Sequence, residues 1–167
     1  MVNTPEPLDS PPGRFQAYLE LLRLPNLFTA AADVVMGFLI THEVIESQEG
    51  WLLGLLAAAS MLLYAGGVVL NDVFDFQVDA EERPTRPLPS GRVSLGAARR
   101  LGWLLLLVGT ALGWVAGLVN HGVWPGVVAS LLAACVVLYD GFLKRTPLGP
   151  IGMGACRALN VLLGMSV

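Results

Sequence analysis

Residues 51–79 read WLLGLLAAASMLLYAGGVVLNDVFDFQVD. Positions 51–70 carry no charge, and they run straight into Asn71, Asp72, Asp75 and Asp79. A bilayer core takes about 20 apolar residues of helix, so 51–70 is long enough to span a membrane. The carboxylates then stand where the helix leaves it. The next residues, AEERPTRPLPSGR at 80–92, bring arginines directly behind the acids.

The rest of the 167-residue chain repeats the first half of this pattern. Hydrophobic residues make up 54% and charged residues 14%, and the mean hydropathy is +0.65. Soluble domains carry about a quarter charged residues, so the composition belongs to an integral membrane protein. Four more apolar stretches approach spanning length: 24–41, 101–119, 123–139 and 148–167. The expected fold is all-α, a polytopic transmembrane helix bundle with five spans. Its many Gly, Ala and Ser residues suit close helix contact. Trp51, Trp103 and Trp124 are expected near span ends, as interfacial anchors.

Residues 1–22 are Pro-rich, with no apolar core before Leu19, so they are not a cleavable signal peptide. They read as a disordered cytosolic tail ahead of a membrane domain over 23–167. Span 5 reaches Val167 with no polar exit, as expected of a chain that continues or docks against further helices or a partner chain. Cys135 and Cys156 lie in apolar runs without metal-type spacing and read as small buried residues. Outside one arginine-bearing loop there is no basic face, which excludes a nucleic-acid partner.

Basic residues set the orientation. Arg14 and Arg23 precede span 1. Arg83, Arg86, Arg92, Arg99 and Arg100 follow span 2, and Lys144 and Arg145 follow span 4. The loops after spans 1 and 3 carry none. By the positive-inside rule the N-terminus and the aspartates face the cytoplasm, in a plasma or inner membrane.

Asp72, Asp75 and Asp79 are spaced i, i+3, i+7, which on one helix is one face. Like charges so placed call for a cation, and hard oxygens from Asn71 and the three aspartates suit Mg²⁺. Arg83, Arg86 and Arg92 can fork phosphate oxygens, and Lys144 and Arg145 enter from the other cytosolic loop. Carboxylates, Mg²⁺ and cations at one membrane face describe a site for a diphosphate with an apolar tail. The bland alternative is a solvated loop of mixed charge; it suits the arginines better than the aspartates, which need a reason to crowd a membrane end.

Asn71-Asp72-x-x-Asp75-x-x-x-Asp79 followed by RPTRPLPSGR resembles the UbiA superfamily of intramembrane prenyltransferases. RLPN at 23–26 and YDGFLKRT at 139–146 support the resemblance, which covers roughly 14–167. It implies a bundle of about nine membrane helices around a cavity, of which five are here. It also implies Mg²⁺-dependent transfer of a prenyl group from a prenyl diphosphate to an aromatic or other small acceptor. Carried over, Asn71, Asp72, Asp75 and Asp79 hold metal and diphosphate, Arg86 and Lys144 clamp phosphate, and Tyr139 lies near the allylic end. The family's second aspartate motif, DxxxD, has no counterpart in this chain, which supplies half of a two-motif site.

Asp33 in span 1 and Arg157 in span 5 are charges at membrane depth. Such residues face cavities or partners, so the pair is expected to line the cavity with Asn160 and to contact the acceptor or a lipid head. Asn26 reads as a substrate contact or as a helix N-cap. Two rival functions stand beside the enzyme. MGACRALNVLLG at 153–164 resembles a UbiA-like branch called EboC, implying a carrier that binds and exports a pathway intermediate without turnover. The other rival is a structural membrane subunit with no ligand.

Overall fold

The computed structural model describes residues 13–42 and 50–167. These residues form helices and turns: α1 (Arg14–Leu22), α2 (Leu24–Thr41), α3 (Gly50–Phe74), α4 (Phe76–Glu82), α5 (Leu95–Val119), α6 (Trp124–Gly141), a 3₁₀ turn (Leu143–Arg145) and α7 (Gly149–Gly164). The all-α bundle expected from the apolar stretches is what the described residues form. Among the described residues, four stretches are long and apolar enough to cross a membrane: Arg14–Thr41, Gly50–Phe74, Leu95–Val119 and Trp124–Arg145. The fifth expected span, 148–167, becomes α7 with 16 residues. At 1.5 Å per residue it is about 24 Å long, shorter than the bilayer's hydrocarbon core of about 30 Å.

α3 is the central helix. It packs along α5 and also meets α2 and α6, while α7 closes against α2 and α6. Glycines set these distances. A Cβ on Gly102 would lie 2.7 Å from Leu70, and one on Gly66 would lie 2.9 Å from Leu106, so α3 and α5 approach through these bare positions. Between α2 and α7 the backbones themselves touch: a Cβ on Gly37 would strike Val161 O, and one on Gly164 would strike Val34 O. Small residues let dispersion contacts accumulate where lipid offers no hydrophobic drive between helices. Leu56, Leu63, Leu70, Val34 and Leu163 fill the core between these seams. Phe28, Ile40, Leu107, Leu118 and Leu131 point outward, as a lipid-facing surface requires.

The N-terminal tail needs correction. Residues 1–12 lie outside the described residues, but 14–22, expected to be disordered, form α1. Ala17 and Leu21, one turn apart, are buried against Val69, Val73, Leu88, Val93 and Ala98. A single apolar turn is too short to register as a helix by composition, and it is the tertiary partner that stabilises it. Arg23 joins α1 to α2 in the left-handed region, φ 48°, and is the N-cap of α2, so Asn26 is not. Trp51 and Trp124 lie in first turns, whereas Trp103 lies inside α5.

The 83–94 loop folds back on the bundle end. Leu88 and Val93 are buried in the cluster that holds α1, and Gly91 takes φ 74°, open to glycine without cost. Ser94 then caps α5, its hydroxyl accepting from Ala97 N at 3.3 Å.

Candidate functional site: an acid–base rim over an apolar cavity

α3 ends at Phe74 and α4 begins at Phe76, with Asp75 between them. The backbone ladder continues through this break: Asp75 N donates to Asn71 O at 2.9 Å and Asp79 N to Asp75 O at 2.8 Å. The four motif residues therefore keep near-helical positions on one side of the helix, but cations from different segments divide them. Asp72 and Asp79, two turns apart, share Arg86, which lies 3.7 Å from Asp72 Oδ1 and 2.6 Å from Asp79 Oδ2. Arg23 adds a 2.8 Å bond to Asp72 Oδ1, and Arg83 lies 3.9 Å from Asp79. Asn71 and Asp75, one turn apart, are held by a different pair of cations. Lys144 Nζ donates to Asn71 Oδ1 and to Asp75 Oδ2, both at 2.8 Å, and Arg145 lies 3.3 Å from Asp75 Oδ1.

Residues 72 and 79 lie within about 20° of each other around a helix, and 71 and 75 within about 40°, at 3.6 residues per turn. Residues 75 and 79 are also only about 40° apart, so it is the placement of Arg23, Arg86, Lys144 and Arg145 on other segments that divides the four. Asp72 and Asp79 are buried, and buried carboxylates persist when paired and hydrogen-bonded. Among the described residues no three His, Cys, Asp or Glu side chains converge on one point. A divalent ion here would have two protein oxygens, Asn71 Oδ1 and Asp75 Oδ2, which already converge on one cation, the Lys144 ammonium. The remaining ligands would be phosphate and water oxygens, a donor set that fits Mg²⁺.

Below this rim lies a cavity of about 750 Å³ bounded by α2, α3, α6 and α7. Its mouth carries Arg23, Asn71, Tyr139 and Asp140; Leu63, Val68, Leu132 and Val136 form apolar wall. The Tyr139 ring packs on α7, where a Cβ on Gly152 would meet it at 3.1 Å. Asp33 and Arg157 also line the cavity and pair at 3.3 Å, as their charges suggested. Asn160 lines it too, but both ends of its amide are committed: Oδ1 accepts from Ser60 at 2.6 Å and Nδ2 donates to Ala30 O at 2.9 Å. That cluster ties α2, α3 and α7 together.

Three expected substrate contacts stand apart. Arg92 binds Glu20 at 2.8 Å and Thr85 O at 2.8 Å, fastening the loop to α1. Arg83 is more than half exposed at the rim. Asn26 is exposed in the first turn of α2 and does not line the cavity. Two residues not chosen from the sequence belong to the site. Arg23 was visible as a topology signal, and only the fold shows that it reaches Asp72. Asp140 looked like a loop residue beside Tyr139, yet it is buried on the cavity wall. Its position inside an apolar run, one turn before Lys144, was the available signal.

Residues 30–167 match the UbiA prenyltransferase family. The chain belongs to that family. It is 33% identical over 150 residues to digeranylgeranylglyceryl phosphate synthase of Saccharolobus solfataricus, covering 89% of this chain and 51% of that protein. It is 40% identical over 133 residues to the protein of the same name from Methanopyrus kandleri, covering 80% and 46%. A solved structure concerned with digeranylgeranylglyceryl phosphate synthase in membranes superposes with a TM-score of 0.80 at 29% identity, over 90% of this chain and 52% of that one. The UbiA-family chain thus spans about half the length of the curated relatives it matches. Its apolar helices and these relatives make it an integral membrane protein.

Proposed function

We propose that this chain is the diphosphate-binding half of a membrane prenyltransferase, with its polar rim on the cytoplasmic side. The observation that carries the reading is the rim over the cavity: Asn71, Asp75 and Lys144 meet at 2.8 Å contacts above a space of about 750 Å³ with apolar walls. A prenyl diphosphate has the same division, a multiply charged head and an apolar chain. The basic residues at the rim, Arg23, Arg86, Lys144 and Arg145, support the orientation by the positive-inside rule.

Asn71 and Asp75 would hold Mg²⁺, and Mg²⁺ when bound would offset the charge that builds on the departing diphosphate. Lys144 and Arg86 supply fixed positive charge beside the same oxygens, the kind of preorganised electrostatics that lowers such barriers most. The apolar walls keep water from an electron-poor allylic carbon. The relatives' name describes a glyceryl phosphate bearing two geranylgeranyl groups. By that analogy the donor is geranylgeranyl diphosphate, and the acceptor is a prenylated glyceryl phosphate with a free hydroxyl. Arg157 and Asp33, which line the cavity, would contact the acceptor.

The test is transfer by the full-length protein in liposomes, with labelled geranylgeranyl diphosphate, Mg²⁺ and geranylgeranylglyceryl phosphate. Ether product that disappears with Asp75→Ala supports the reading. Tight donor binding with no turnover on any hydroxyl, phenol or other acceptor overturns it in favour of an EboC-like carrier. Neither binding nor turnover leaves a structural subunit.

A further inference from the structure

We propose that Asp140 is the base that takes the proton from the acceptor hydroxyl as it is prenylated; this rests on the prenyl-transfer reading above. Asp140 is 5% exposed and lines the cavity. Its carboxylate makes no hydrogen bond or ion pair with any described residue. It is not sealed away, since no fully enclosed polar side-chain atom among the described residues lacks a partner. What little surface it keeps therefore opens on the cavity. The other cavity carboxylate, Asp33, is paired with Arg157. The rim acids Asp72, Asp75 and Asp79 are all held by Arg or Lys.

A buried carboxylate without a hydrogen bond is costly, and the nearest cations, Lys144 and Arg23, act on this one only from beyond ion-pair distance. Its position suggests the reason for keeping it. A Cβ on Gly67 would lie 3.9 Å from Asp140 Oδ2, and Gly67 is one helical turn before Asn71. The carboxylate thus borders the turn of α3 that precedes the Asn71–Lys144 contact, at the cavity mouth. A diphosphate held at that contact, with its chain in the cavity, places the first carbon of the chain at the level of Asp140.

At that carbon the acceptor oxygen forms the new C–O bond. The C–O bond to diphosphate breaks, and its electron pair leaves with the diphosphate. The acceptor oxygen, now bearing two carbons and a proton, is positive and must lose that proton. Among the carboxylates that line the cavity, Asp140 is the one without a cation at ion-pair distance, which makes it the local acceptor for that proton. Asp140 Oδ2 receives it and becomes a neutral carboxylic acid, which also relieves its own burial. Tyr139, whose phenol holds its proton at neutral pH, does not substitute.

The experiment compares Asp140→Asn and Asp140→Glu with wild type in the full-length protein in liposomes. Two readouts are taken: ether-product turnover, and affinity for a non-hydrolysable prenyl diphosphonate. A general base contributes about 100-fold or more. The expected result is a kcat for Asp140→Asn lower by at least about 100-fold, with analogue affinity unchanged and Asp140→Glu regaining part of the rate. Turnover by Asp140→Asn near the wild-type rate overturns the proposal. So does loss of analogue affinity in both variants, which makes Asp140 a structural residue. A wild-type protein that neither binds the analogue nor turns over sinks the prenyl-transfer reading, and this one with it.

Discussion

Lys144 Nζ stands 2.8 Å from Asn71 Oδ1 and 2.8 Å from Asp75 Oδ2, joining the end of α3 to the 3₁₀ turn behind α6. One ammonium thus organises two oxygens that are one turn apart on another helix. Lys144→Met removes a charged donor from the rim. A hydrogen bond to a charged group is worth about 1.5–3 kcal/mol, so affinity for a prenyl diphosphonate should fall by about 10- to 100-fold. Titration calorimetry in detergent checks this. Asp75→Asn should abolish the Mg²⁺ dependence of that affinity.

The contact between α2 and α7 leaves no room for a side chain at Gly37 or Gly164. Gly37→Val would push backbone from backbone and should destabilise by at least about 1–3 kcal/mol, the cost of overpacking. At Gly54, by contrast, a Cβ meets nothing within 4 Å. Gly54→Ala should be neutral or stabilising by up to about 1 kcal/mol through helix propensity. Thermal unfolding in matched detergent would rank the two. Equal melting temperatures would mean that α2 and α7 do not touch through these glycines.

Asn160 and the Asp33–Arg157 pair line the same cavity but should respond differently. Asn160→Ala takes the shorter of two acceptors from buried Ser60, leaving it Ala30 O at 3.1 Å, and leaves that carbonyl with one donor fewer. The expected cost is about 1–3 kcal/mol of stability. Arg157→Gln removes a mostly exposed head from a 3.3 Å pair and should lower melting less than Asn160→Ala while raising KM for the acceptor. An unaltered KM would remove Arg157 from the acceptor site.

Cys135 Sγ and Cys156 Sγ are 3.4 Å apart across α6 and α7. A disulfide needs about 2.05 Å, so a small relaxation would let a mild copper–phenanthroline oxidation link them. Peptide mapping should find the Cys135–Cys156 cross-link within one chain and none in Cys156→Ala. Two thiols still open to alkylation after oxidation would mean a different register of α6 on α7.

Much of this architecture was legible one residue at a time. Apolar runs of spanning length announce helices because a bilayer admits no unsatisfied backbone. The alternation of basic loops places the acids and cations at one end. The Asn71–Asp79 spacing, with the Arg-Pro loop behind it, marks the rim. The sequence offered Arg157 as the natural counter-charge to Asp33, and only the fold shows that they meet.

What the sequence alone determined was therefore which segments enter the membrane and which residue types gather at its edge, because both follow from local composition and the cost of leaving charge or backbone bare in lipid. Only the tertiary structure decided which acid meets which base. It split the aspartates into a pair held by Arg23 and Arg86 and a residue held by Lys144 and Arg145. It committed Asn160 to Ser60, gave residues 14–22 a helix, and left Asp140 facing the cavity. These outcomes depend on how far apart α2, α3, α6 and α7 lie and how each is turned about its axis. Those quantities come from glycine seams on different helices meeting one another, and no single segment contains them.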